Sequence, residues 1–231
     1  PGGIKGLQNQ LQSDIRNSGY GDSKGDYKKI LSGGITMKAY KATNKDMICS
    51  QGKGNFQYQF GLNRADTAKT RKSGLHFTED PFLTLDWYPL GCGNRYFLCE
   101  ALGDISEEKS DNTMSCTELI FMEELSLKAL AGHGMMYMID HPLRSWVKTS
   151  RYLNVKKEQA AANCAGAIAI ARGLHPKVKG PTGSYLGLIE ERNGIITGAR
   201  LLEPGKSTKG LIIKENTWYA LRNGKIVEID E

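Results

Sequence analysis

The chain has 231 residues, a net charge of +6 and a pI near 9.0, with 39% hydrophobic and 24% charged residues. That balance excludes a disordered chain, and no apolar run approaches the roughly 20 residues of a membrane-spanning helix. The 27 glycines favour strands and turns over a helical bundle. The basic charge permits nucleic acid as a partner without requiring it.

The five cysteines, Cys49, Cys92, Cys99, Cys116 and Cys164, contain no CxxC pair, and their number is odd. Neither a zinc ribbon nor a disulfide framework is signalled, so reduced thiols in a cytoplasmic setting are the simplest expectation. His133, His141 and His175 have no companions at ligand spacing, so no metal is expected. The N-terminus shows no signal-peptide hydrophobic region.

In chain order, residues 1 to 34 place Leu7, Leu11 and Ile15 on one helical stripe between glycine pairs. Too little apolar surface is present for an independent fold, so this stretch reads as a linker or docking segment. From residue 35 the texture changes. Alternation predicts strands over 35–42, 53–61, 95–102 and 115–122, with a charged loop over 104–113 and a short helix over 126–131 capped by Ser126. Residues 143 to 153 read as helix.

Near Gln159 the composition shifts again, which sets expected domains of 35–158 and 159–231. Residues 160–173 carry small side chains at nearly every second place. That fits either a helix or one rung of a β-roll, where small residues stack inside a narrow coil. Further strands are predicted over 184–190, 195–202, 210–213, 217–221 and 225–229, with Asn223-Gly224 as the clearest hairpin turn. The expected class is α+β, with a mixed core followed by a β-rich β-roll or hairpin part.

The stretch from Gly74 to Tyr88 carries the chemistry. Gly74 to Phe77 reads as a short strand with His76 and Thr78 on one face, stopped by Asp80-Pro81 and followed by a short helix. A strand ending in polar groups beside a helix start commonly lines a ligand cleft. The simpler alternative is a half-buried strand with a surface histidine.

Residues 37 to 231 resemble a family of uncharacterised phage and bacterial proteins. The likeness rests on Met37-Lys38-Ala39-Tyr40-Lys41, the Gly74 to Phe77 core, Tyr88-Pro89, Glu100 to Gly103, and the C-terminal segment from Ile213 to Gly224. The order of elements over 35–131 is also similar to that of ADP-ribosyltransferases. Tyr40-Lys41 falls on the first-strand slot, Gly74 to Thr78 on the next motif, and Glu118 opens a late strand. That resemblance implies an enzyme, a toxin or effector module, that takes NAD as substrate and modifies an unknown macromolecular acceptor. It further implies a possible immunity protein as partner. Glu118 and His76 would be catalytic, with Tyr40, Lys41, Gly74, Thr78 and Tyr88 holding the dinucleotide. The carboxylate would stabilise positive charge on the ribose. Two positions depart from the pattern: Lys41 stands where Arg or His is usual, and His76 where Tyr is usual. Lysine lacks the hydrogen-bond fork of arginine. A non-catalytic binding or structural module, with the β-rich C-terminus mediating assembly, is the second reading. A nuclease-type toxin is the third.

Overall fold

The computed structural model describes residues 3–16, 36–50, 54–108 and 113–230. The chain mixes helix and strand and divides into two compact units, a continuous one over 20–126 and a split one that joins 1–19 to 127–231. The division differs from the one expected. The boundary near 159 falls inside a strand, and the N-terminal segment contributes a packed helix to the C-terminal unit. Residues 17–35 lie outside the described ones.

In the continuous unit β1 (Met37–Thr43), β6 (Arg95–Glu108), β7 (Thr113–Glu124) and β4 (Gly61–Arg64) pair in the order β1-β6-β7-β4, with β5 (Leu75–Phe77) also on β7. All these pairings are antiparallel. A small ribbon of β2 (Ile48–Cys49) and β3 (Phe56–Gln57) stands apart. The strand expected over 53–61 is reduced to β3, because Gly54 and Gly61 both take positive φ and break the extended run. Conversely, the charged stretch after Gly103 stays extended to Glu108 across a register shift between Leu102 and Ile105, so the predicted loop is shorter.

One face of this sheet is apolar. Ala39, Phe97, Cys99, Ala101, Met114, Cys116, Leu119 and Phe121 pack there with Tyr58, Leu75 and Phe77. Tyr58 stacks on Phe121 with centroids 4.9 Å apart, and Phe97 leans on Phe121 at 4.8 Å. Lys41 sits directly opposite Phe97 in the β1–β6 register and two residues from Ala39. Strand alternation therefore points a lysine into the apolar face. The expected helix after Pro81 is a single 3-10 element, Pro81–Asp86, capped by Asp80, whose carboxylate accepts the Phe82 N–H at 2.9 Å.

The split unit begins with α1 (Ile4–Arg16), whose stripe of Leu7, Leu11 and Ile15 is buried against α2 (Leu127–Asp140) and β12 (Ile195–Leu202). The Asp14 carboxylate accepts the Leu201 N–H at 3.3 Å. Helix α2 outruns the six residues expected for it and ends just before Pro142, which cannot continue the ladder. The helix expected over 143–153 is absent; only the two-residue β8 (Lys148–Thr149) interrupts that stretch.

Residues 160–173 resolve into strands. Strands β9 (Leu153–Ala161), β10 (Ile168–Lys179) and β11 (Tyr185–Arg192) run parallel, with Ile168 beside Leu153 and Tyr185 beside Ile168. The chain returns upon itself with few residues between strands. A corner makes this possible: Glu158 takes φ 61°, and its carboxylate accepts the N–H groups of Leu174 and His175 at 2.9 and 2.8 Å. Ala160, Ala162, Ala167, Ala169 and Ala171 meet inside with Val178, Leu186 and Leu188. Strand β12 returns antiparallel on β11 through Asn193-Gly194. The last hairpin, β15 (Trp218–Arg222) with β16 (Lys225–Ile229), turns at Asn223-Gly224, both with positive φ, and pairs β15 to β10.

Candidate functional site

The buried face of the continuous unit holds one group that an apolar core does not ordinarily admit. Lys41 is 7% exposed. Its Nζ lies 3.7 Å from Cys49 Sγ and 5.3 Å from the centre of the Tyr58 ring. No carboxylate among the described residues pairs with it. A buried cation without a counter-charge is costly, and the ring face and the sulfur are the two groups that answer it here.

Cys49 reaches this position through a turn written in the sequence. Asn44 Oδ1 accepts the N–H of Asp46 and of Ile48 at 2.9 and 2.8 Å, folding the chain back beside β1. Tyr88 arrives from the end of the 3-10 element. Its hydroxyl is buried with no hydrogen-bond partner of good geometry among the described residues. Burial pushes the Tyr88 hydroxyl up to about 12; the neighbouring Cys49 sulfur adds to this, while Lys41 opposes it. Burial likewise raises the Tyr58 hydroxyl, with Cys49, Cys99 and Cys116 adding to it. Lys41, Cys49, Tyr58 and Tyr88 thus form one polar cluster. The sequence signal for Cys49 is the turn at Asn44, three residues after Lys41, which brings the thiol eight residues after Lys41 back beside it.

His76 serves a different purpose. Its Nε2 accepts the Arg71 N–H at 3.0 Å, which in the neutral ring leaves the proton on Nδ1. Desolvation lowers its pKa, Lys41 lowers it further, and the Gly74 backbone opposes both. The ring thereby braces the 69–76 turn. Gly74 belongs to the same turn. It takes φ +95°, and a Cβ there would stand 2.8 Å from the Thr67 carbonyl oxygen and 3.1 Å from that of Cys116.

Tyr40 and Thr78 are joined through their backbones, with N–O distances of 2.7 and 3.1 Å, which ties β1 to the residue after β5. The Thr78 hydroxyl accepts the Asp80 N–H at 3.2 Å, within the turn that starts the 3-10 element. The Tyr40 ring is buried, with Lys38 Nζ 5.5 Å from its centre. Glu118 sits opposite Arg64 on β4, and its Oε1 accepts from Arg64 Nε at 3.0 Å. The residues picked from sequence thus separate. Lys41 and Tyr88 share the cluster, with His76 in reach of the Lys41 charge. Tyr40, Thr78 and Gly74 act through backbone geometry, and Glu118 is held by an arginine.

A second feature lies in the split unit. Residues 127–231 hold 16 Lys and Arg against 9 Asp and Glu, a net of +7, whereas residues 36–126 hold 10 against 13, a net of −3. Lys148, Lys156, Lys157, Lys177 and Lys179 all stand on β8, β9 and β10. The one acid on these three strands, Glu158, is engaged by two backbone N–H groups. Lys156 and Lys157 are exposed. Lys177 Nζ and Lys179 Nζ lie over the Trp218 ring, 4.9 and 4.8 Å from its centre. The one arginine on these strands, Arg172, is buried and bound to Glu191 and to the Pro142 carbonyl.

Among the described residues no group of three or more His, Cys, Asp or Glu could hold a metal ion, and no helix is long and apolar enough to cross a membrane. Residues 37–133 match the model of a domain of unknown function, DUF7666, which covers most of the continuous unit and the first half of α2. Searches of the curated proteins and of the solved structures return no match to the chain.

Proposed function

We propose that the chain is a non-catalytic binding module whose split unit takes nucleic acid along the lysine-bearing strands β8, β9 and β10. The observation that carries this reading is the segregation of charge: +7 on residues 127–231 beside −3 on 36–126, with five lysines on three adjacent strands. Lys177 and Lys179 stand two apart on β10, about 7 Å from one another, which suits successive phosphates of a single backbone. Contacts of that kind bind without reading sequence, and their strength falls steeply with salt as counterions are released.

The test is fluorescence anisotropy with a labelled DNA duplex of arbitrary sequence. Four lysine contacts predict binding roughly 10²-fold weaker on a fourfold rise in salt. The quadruple variant Lys156→Gln, Lys157→Gln, Lys177→Gln, Lys179→Gln should lose most of the salt slope. Binding that ignores salt, or a variant that binds as the parent does, would sink the reading.

A transferase acting on NAD and a macromolecular acceptor is the second reading. It is favoured by the gathering of three residues of that resemblance, since the Lys41 charge acts on both His76 and Tyr88. It is opposed by the engagement of His76 Nε2 with the Arg71 N–H and of Glu118 with Arg64. Release of nicotinamide from NAD by the purified chain is its direct test.

A further inference from the structure

We propose that Lys41 and Cys49 form a reversible oxidative cross-link, a sulfur–nitrogen bond made when a peroxide oxidises the thiol. This goes beyond the binding reading and does not depend on it.

The geometry has three parts. Lys41 Nζ is 3.7 Å from Cys49 Sγ, and the lysine is buried with no carboxylate partner among the described residues. The Tyr88 hydroxyl, buried and without a well-placed hydrogen-bond partner there, adjoins the same sulfur. Cys49 itself is only partly buried, so a small oxidant can reach it. A thiol beside a lysine and a hydroxyl donor is placed to react as thiolate. Cys99 and Cys116 are buried and have their thiols pushed up by burial, Cys116 to about 12. Cys92 is exposed and Cys164 partly buried.

The chemistry balances in two steps. The Cys49 sulfur attacks the peroxide oxygen, the O–O bond breaks, and sulfenic acid forms with release of one water. Sulfur loses two electrons and the peroxide gains them. The Lys41 amine then attacks the same sulfur. The S–N bond forms, the S–O bond breaks, and the departing hydroxide takes the amine proton as a second water. The first water accounts for the ammonium proton: the hydroxide that leaves the peroxide takes it from Lys41 Nζ, so the amine is neutral when it attacks. A thiol reductant attacks the sulfur and restores both side chains.

The experiment treats the folded full chain with dilute hydrogen peroxide and maps tryptic peptides by mass. The expected product joins the peptide bearing Lys41 to the one bearing Cys49, lighter by two hydrogens than the reduced pair. Cleavage after Lys41 is lost, and both changes reverse with a thiol reductant. In Lys41→Arg the guanidinium cannot make the bond, so Cys49 should stop at sulfenic acid and label several-fold more with a dimedone probe. Cleavage after Lys41 persisting while Cys49 is oxidised would overturn the proposal. So would a product that keeps a peroxide oxygen, or the same two-hydrogen loss in Lys41→Arg. If Lys41→Arg fails to fold, the wild-type peptide map decides alone.

Discussion

The two units bury their chains by different means. The continuous unit packs large aromatics, Tyr58, Phe97 and Phe121, across one sheet face, and tolerates a lysine and thiols among them. The split unit lines the inside of its parallel strands with alanines that pack beside Val178, Leu186 and Leu188. Aromatic packing leaves irregular gaps that polar groups can occupy if they answer each other. The charged groups that the split unit buries, Arg172 and Glu190, are each held by an ion pair and by hydrogen bonds to the backbone. Glu158 at its corner and the lysines on its strands stay partly or fully exposed.

The largest test of this contrast uses glycine. In the continuous unit, Gly74→Ala forces a Cβ against backbone atoms of Thr67, Ala68 and Cys116 at 2.8 to 3.1 Å, at φ +95°. Backbone cannot yield cheaply, so the variant should lose about 3 kcal/mol by thermal or urea unfolding. In the split unit, Gly132→Ala on α2 meets Cδ1 and Cγ1 of the Ile15 side chain and touches Leu201, with no backbone atom in the way. The Ile15 side chain can turn aside, and alanine gains about 1 kcal/mol of helix propensity over glycine. The net change should stay within about 1 kcal/mol. Equal losses at both sites would erase the proposed difference.

How much of this was legible in the sequence follows the same physics. Alternation marked β1, β6, β7, β11, β12 and the Asn223-Gly224 hairpin, because side-chain period and turn chemistry are local. The parallel return of β9, β10 and β11 was hinted at only by alternating small residues, since helix and strand both accept alanine. The capture of α1 by the C-terminal unit was not legible. The stripe of Leu7, Leu11 and Ile15 announces a buried face, and nothing in it names the partner. At the site, Lys41 and Tyr88 were named from sequence as groups to hold a dinucleotide; the structure sets both beside a thiol that a turn supplies. His76 and Glu118 were legible as polar residues on strands; their ties to Arg71 and Arg64 depend on pairings that no local pattern states.

A middle-sized effect separates the units by pH. Glu190 is 1% exposed. It accepts from the Asn223 and Gly224 N–H groups at 3.0 Å each and from Arg192 at 3.1 Å. Burial alone would raise its carboxyl, but these donors outweigh that and hold it below the ordinary glutamate value of 4.5. A depressed folded pKa gives stability that is present above 4.5 and lost as pH falls through the lower folded value. His76 has the same sign in a higher window: its contribution is present above 6.5 and is lost as pH falls through its lowered folded value. Hydrogen exchange should therefore show the 69–76 turn loosening first on acidification, and the β15–β16 hairpin only below about pH 4.5. Glu190→Gln should cost about 2 kcal/mol at neutral pH, because an amide cannot accept on both sides, and should flatten the lower step. A hairpin that loosens together with the turn would contradict the assignment.

The smallest effect is the most informative about function. Glu118 and Arg64 pair across β4 and β7 with side chains 31% and 71% exposed. An ion pair that open to water is worth at most about 0.5 kcal/mol, so Glu118→Gln should melt within a degree or two of the parent. The substitution keeps shape and removes only charge. Under the binding reading, neither protein releases nicotinamide from NAD, and DNA binding is unchanged or slightly tighter, since one negative charge is gone. Under the transferase reading, the parent turns over and the variant falls roughly 10²-fold or more, the usual loss when a preorganised electrostatic group is removed. That outcome would mean Glu118 leaves Arg64 when substrate arrives, and Arg64→Ala should then retain turnover while Glu118→Gln does not. A parent that turns over with an equally active variant would keep an enzyme but take Glu118 out of its chemistry.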